Sequence, residues 1–312
     1  MLLSYAYCGE CHVCKSGTPS HCTKFHEINF IGGPVFKDAH GASVGGRFFG
    51  QSSFAKHTIA SERSVVNVKG MGLTRDDLKL LAPFGCGLQT GSGTVTNVAK
   101  AGEEDAVAII GMGGVGLAAV MVCLALSTFS SSAAESAVLT RFYHVQAAKN
   151  QKCKTIIGID RIESRLELAK ALGATHVVNM SDVSIEQLVT AVREAADGLG
   201  ASISIDTSAY PPLVAAQIEF TRYMAKIIQV GTGMPDANLS IHMQSFMVSG
   251  KQYLGAVQGH VKTGEYIPQM IQWWKDGKFP IERLVRFFDF KDFESAVGVM
   301  GAGDVVKPIM TW

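Results

Sequence analysis

From residue 106 onward, short apolar runs recur along the chain: AVAII at 106–110, KTIIGID at 154–160, THVVN at 175–179, SISID at 202–206 and KIIQVG at 226–231. They are rich in β-branched residues and lack strict alternation, the pattern of strands covered on both faces. Between several of them the apolar positions change to helical spacing, over 164–172 and 185–199. This alternation predicts an α/β fold with a doubly wound parallel sheet. Residues 1 to about 85 read differently: they are rich in Gly, Ser, Phe and His, with short β-prone runs such as 64–68, and predict irregular β structure. A helical pattern near 267–278, a Phe-rich stretch and a strand-like VKPIM close the chain.

The stretch at 106–126, AVAIIGMGGVGLAAVMVCLAL, has no charge over 21 residues and is long enough to cross a bilayer. Its glycines argue otherwise. Gly111, Gly113, Gly114 and Gly116 divide it into a short strand and a helix, which give the same hydropathy when buried in an α/β domain. With Met112 and Val115 between them, the glycines satisfy Gly-x-Gly-x-x-Gly directly after a strand and before a helix. The first glycine permits the tight turn, the second lets the backbone approach a pyrophosphate, and the third allows helix and strand to touch. The helix N-terminus then offers unpaired N–H groups to phosphate.

Asp160 ends the next strand, where a carboxylate can bond both ribose hydroxyls and repel a 2′-phosphate, so NAD is favoured over NADP. The alternative reading is an Asp that caps the following helix. The spacing departs from the pattern: 44 residues separate Gly116 from Asp160, where about 20 are expected. A continuous helix cannot absorb the surplus, which at 1.5 Å per residue would carry the chain on the order of 36 Å too far. The surplus is expected to loop out or interrupt the unit, and the serine-centred stretch 122–146 is its expected location.

Charge narrows the partners. With 28 Lys and Arg against 27 Asp and Glu, neither nucleic acid nor an anionic membrane surface is expected. The first residues lack a basic start and a sustained apolar run, so no signal peptide is read and the cytoplasm is the default compartment. Seven cysteines then acquire meaning. Cys8, Cys11, Cys14 and Cys22 fall within fifteen residues, and in a reducing compartment such a cluster more often holds a metal than forms disulfides.

Glycine turn, Asp160 and four-cysteine lobe in one chain resemble the zinc-dependent medium-chain alcohol dehydrogenases, particularly their aryl-alcohol branch. APFGCGLQTGSG at 82–93, FFGQSSFAKH at 48–57 and IPQMIQWWKDGKFPIERLV at 267–285 carry the likeness, which runs to Trp312 and is interrupted at 122–146. The resemblance implies a remnant of a GroES-like substrate domain with a zinc lobe at 1–87, a Rossmann domain at 88–257, and a segment at 258–312 that returns to the substrate domain.

It further implies hydride transfer between NAD and a primary, aryl or allylic alcohol, with the aldehyde as the other partner. Cys8, Cys11, Cys14 and Cys22 would bind a structural zinc, and four thiolates leave no position for substrate. Cys86 would be one ligand of a catalytic zinc that polarises the alcohol oxygen, although taken alone it reads as a buried small apolar residue. The family's other ligands and proton relay lie upstream of the four-cysteine lobe, where this chain begins, so truncation and an incomplete catalytic site are expected. A catalytically dead, zinc-pegged dinucleotide-binding fragment is therefore the alternative.

By the same resemblance Thr90 lies near the nicotinamide, and Val230 contacts its amide through the backbone. Arg165 lies near the adenosine ribose and Lys307 near the pyrophosphate, and both could equally be solvated charges. Arg222-Tyr223-Met224 replaces the family's usual Pro-Gly-Gly turn. A homodimer or homotetramer is implied.

Overall fold

The computed structural model describes residues 2–125 and 153–312. The chain divides into two compact units, one made of 98–256 and the other of 1–97 with 257–312.

In the 98–256 unit six strands form one sheet: β1 (Ala106–Ile110), β2 (Thr155–Asp160), β3 (His176–Asn179), β4 (Ala201–Asp206), β5 (Thr221–Gln229) and β6 (Gln252–Gly255). Their order is 6-5-4-1-2-3 and every pairing is parallel. The order reverses direction between β1 and β4, which leaves a crevice at the carboxyl ends of those strands, the place where such sheets bind ligands. All five residues of β1 are buried, which explains its unbroken apolar run. The connecting helices are α1 (Gly114–Ala125), α2 (Glu163–Ala171), α3 (Ile185–Ala195), α4 (Pro211–Phe220) and α5 (Met243–Ser249). Ile157, Ile159 and Ala108 pack with Leu188, Val192, Leu213 and Phe220 into one core, where each large side chain contributes about 1.5–3 kcal/mol on burial.

Two expectations change here. The surplus segment does not begin at 122: α1 runs to Ala125, with Val122 and Cys123 buried at 1% and 0% exposure. The remainder of the expected interruption, 126–146, lies outside the described residues. Arg222-Tyr223-Met224 is also not a turn between helix and strand, because β5 starts at Thr221. The pairing with β4 instead slips between Ala201 and Ile203, whose partners are Thr221 and Lys226, and Met224 takes φ +61° inside this bulge. A glycine would adopt that backbone without steric cost.

The other unit contains three two-stranded pairings. Leu2–Leu3 joins Val65–Val66, Gly33–Lys37 joins Ser43–Gly46, and Val285–Asp289 joins Lys307–Thr311, the last in parallel. Its interior gathers Tyr5, Leu81, Phe84, Leu88, Ile267, Ile271 and Phe279, all fully buried. Residues 88–97 belong to this unit, so the division falls at 98 rather than at 88. Glycines account for it: a Cβ on Gly93 would sit 2.7 Å from the Gly259 carbonyl oxygen, and Gly259 has φ +64°. Only two glycines let these backbones approach so closely.

No helix among the described residues is long and apolar enough to cross a membrane. The uncharged 106–126 stretch is for its described part a buried strand, a turn and α1.

Candidate functional site

The glycine turn follows β1 directly. Gly111 has φ +90°, and a Cβ there would lie 2.4 Å from Thr207 Oγ1. A Cβ on Gly116 would lie 1.8 Å from the Gly111 carbonyl oxygen, so the helix can start this close to the strand only with glycine at 116. Gly113 differs, since a Cβ there would meet nothing within 4 Å. Its backbone faces open space where a phosphate could approach, and α1 begins beside it at Gly114. The open cradle and the helix start fit the pyrophosphate of a dinucleotide.

Asp160 ends β2 beside this turn. Met112 N–H donates to its Oδ2 at 2.6 Å, while the Arg161 and Ile162 N–H groups donate to Oδ1 at 2.7 and 3.0 Å. The carboxylate thus ties two strand ends together across 48 residues of chain. It does not cap α2, whose N-cap is Ile162 with no side-chain bond. Arg165, in the first turn of α2, is half-buried. Val230 follows β5, and its N–H donates to the Asp206 carbonyl at 2.9 Å.

Sequence reading missed Asp206. It ends β4 with the same Ile-Asp that ends β2, a repetition visible in the sequence. It is wholly buried and accepts from Ser208 N–H and Oγ, Ala209 N–H and Gln229 Nε2. These bonds fix the backbone at the carboxyl ends of β4 and β5. Thr207 Oγ1, which donates to the Ile110 and Gly111 carbonyls, fixes β1 to β4 at the turn.

In the other unit Cys8, Cys11, Cys14 and Cys22 bring their sulfurs within 4.8 Å of one another, the one such metal-capable group among the described residues. Cys8 and Cys14 Sγ are 3.9 Å apart. Tetrahedral zinc at about 2.3 Å from each sulfur requires separations of about 3.8 Å, so the spacing fits the ion. Backbone N–H groups of Cys11, Cys14 and Cys8 point at Sγ of Cys8, Cys11 and Cys22 at 3.4–3.5 Å.

The chemistry of the set also fits. Backbone N–H groups of Cys14 and then Thr23 hold the Cys11 thiol down to about 5, whereas burial first and the Cys11 contact next push Cys14 up to about 12. Four sulfurs this close cannot all ionise without a cation between them. His21, one residue before Cys22, has Nε2 at 2.6 Å from His260 Nε2; burial, then His260, lowers its pKa.

Cys86 precedes the helix Gly87–Gly93 and is exposed, which corrects the reading of a buried apolar residue. Gln258 Nε2 reaches its sulfur at 3.7 Å. Gln89 Nε2 donates to Gln258 Oε1 at 2.7 Å and to the Gly85 carbonyl at 2.9 Å, which fixes the segment around Cys86. Thr90 Oγ1 donates back to the Cys86 carbonyl at 2.8 Å. No metal-capable group among the described residues includes Cys86. The residues present therefore do not fit a catalytic zinc at this position. Lys307 is half-buried and opens the strand Lys307–Thr311, its N–H bonded to the Leu284 carbonyl.

Comparison with known proteins adds four findings. Residues 143–276 match the family model described as zinc-binding dehydrogenase. Geraniol dehydrogenase of Castellaniella defragrans is 30% identical over 319 residues, a match that covers 100% of this chain and 76% of that enzyme. Among solved structures, benzyl alcohol dehydrogenase from Acinetobacter calcoaceticus is 31% identical with a TM-score of 0.81, covering 99% of this chain and 76% of that one. An alcohol dehydrogenase zinc-binding domain protein from Burkholderia ambifaria is 30% identical with a TM-score of 0.82, at the same coverage.

Proposed function

Because the chain belongs to the zinc-binding dehydrogenase family, as an alcohol dehydrogenase-type oxidoreductase, we propose that its substrate is a primary aryl or allylic alcohol, interconverted with the aldehyde by hydride transfer with NAD. The observation that carries the dinucleotide part is the 2.6 Å bond from Met112 N–H to Asp160 Oδ2. It holds a ribose-binding carboxylate next to the phosphate cradle before any ligand arrives. NAD, when bound, accepts the hydride. Gly111, Gly113, Gly114, Val115 and Gly116 receive its pyrophosphate, Asp160 orients the adenosine ribose and excludes a 2′-phosphate, and Arg165 borders the ribose. Val230, Thr90 and Lys307 are assigned by resemblance to the nicotinamide amide, the nicotinamide ring and the pyrophosphate.

The substrate class follows from the relatives, which act on geraniol, an allylic alcohol, and benzyl alcohol, an aryl one. Zinc in the Cys8, Cys11, Cys14 and Cys22 lobe would be structural, because four thiolates close its shell. The chain would assemble as a homodimer or homotetramer in the cytoplasm.

A second reading is favoured by the isolation of Cys86: a non-catalytic, zinc-pegged dinucleotide-binding protein. One experiment separates them. The purified chain is loaded with zinc, mixed with NAD and benzyl alcohol or geraniol, and followed by NADH absorbance, while NAD binding is measured by calorimetry. Turnover supports the oxidoreductase and excludes the second reading. Binding without turnover supports the second, and absence of binding overturns both.

A further inference from the structure

The seven cysteines sort into three groups: four in the metal-capable lobe, Cys86 alone, and Cys123 with Cys153. The last pair has no part in the proposed chemistry. Cys123 lies two residues before the end of α1, and Cys153 two residues before β2. Both side chains are completely buried. Cys153 N–H donates to the Cys123 carbonyl at 3.4 Å, and the two thiols are hydrogen-bond neighbours. The backbone bond and the thiol contact link the same two residues, the proximity that a disulfide, with Cα atoms about 4.4–6.8 Å apart, requires.

We propose that Cys123 and Cys153 form a reversible disulfide that fastens the carboxyl end of α1 to the start of β2 and closes the chain between them into a loop. The oxidant is a small peroxide. One thiol gives its proton to water and attacks a peroxide oxygen as thiolate; the O–O bond breaks, leaving a sulfenic acid and a hydroxide that takes up the released proton as water. The second thiol, deprotonated in the same way, attacks that sulfur; the S–OH bond breaks and the departing hydroxide takes up the second proton as water. Two thiols are oxidised by two electrons, and one peroxide is reduced to two waters.

Burial does not close this route, because folded proteins open locally at lower cost than they unfold as a whole. The Cys153 contact, then burial, raise the Cys123 thiol, so the reaction accelerates with rising pH. Lobe cysteines held by zinc do not compete.

The test uses the full zinc-loaded chain, treated with hydrogen peroxide, alkylated under denaturing conditions and digested with a glutamate-specific protease. Cleavage after Glu104, Glu135 and Glu163 places Cys123 and Cys153 in separate peptides, 105–135 and 136–163. The expected result is one species joining both peptides with the loss of two hydrogens, separated again by dithiothreitol. Its yield should rise at least fivefold between neutral and mildly alkaline pH. Oxidised protein should melt roughly several degrees higher than reduced protein, as loops of this size give. The Cys153→Ala chain should lose the linked species and the melting shift together. Recovery of both peptides alkylated after peroxide treatment overturns the proposal, as does linkage of either one to a lobe cysteine or absence of the 105–135 peptide from the folded protein.

Discussion

The 98–256 unit unites six strands in one sheet with helices around it, whereas the unit made of 1–97 and 257–312 divides its six strands among three separate pairs. The first buries its large apolar residues almost without exception along β1, β2 and β4. The second leaves Phe30, Phe48, Phe54 and Ile59 at 49%, 54%, 63% and 67% exposure. Two-stranded pairs are marginal in water without a further layer, so local strand pairing cannot be the main support of that unit. The two units therefore obtain their order differently. One relies on burial of a continuous core, and the other adds a metal-capable thiol lobe to a smaller one.

Metal removal should separate the units most. Zinc-finger peptides draw about 10–16 kcal/mol from zinc, so a chelator is expected to unfold the lobe while the parallel sheet persists. Metal analysis should give one zinc per chain, and thermal melting should show one early and one late transition after chelation. Acid should act like the chelator. The lobe thiols must lose their protons to hold zinc, so the lobe's hold on the ion weakens as pH falls. Melting that ignores the chelator would show that the lobe keeps its order without metal.

Two glycine substitutions sharpen the view of the sheet-bearing unit. Gly116→Ala places a Cβ against the Gly111 carbonyl and should cost at least about 3 kcal/mol, measured by urea denaturation. Gly113→Ala enters open space, so stability should change by less than about 1 kcal/mol, while NAD affinity falls tenfold or more in calorimetry. Equal effects at the two positions would remove the reason for assigning them different roles.

Asp160→Ala comes next. It removes the acceptor of three backbone N–H groups and should narrow the preference for NAD over NADP about tenfold, read from paired binding isotherms. The smallest effect is expected at the bulge: Met224→Gly relieves a left-handed backbone and should stabilise by about 0.5–1 kcal/mol in the same urea assay.

The parallel sheet was legible because its strands are apolar throughout and because the glycine turn has a fixed chemical purpose. The four-cysteine lobe was legible because its ligands are neighbours in sequence. What the chain concealed depended on distant partners. The Ile-Asp at 205–206 repeats the end of β2, but the donor that joins the carboxylate to β5 comes from Gln229, 23 residues further on. The continuation of α1 to Ala125 was hidden because Val122, Cys123 and Leu124 suit a helix as well as an intruding loop. The boundary at 98 depended on Gly93 meeting Gly259, a contact between residues 166 positions apart that no local pattern announces.

The closeness of the four lobe sulfurs along the chain bears on how the protein is made. Their intervals are three, three and eight residues, so little chain entropy opposes gathering them and only a short stretch of polypeptide need exist. Metal capture can therefore begin before the rest of the fold is complete, and a cell short of zinc would be expected to disturb this protein at its birth rather than in its mature form.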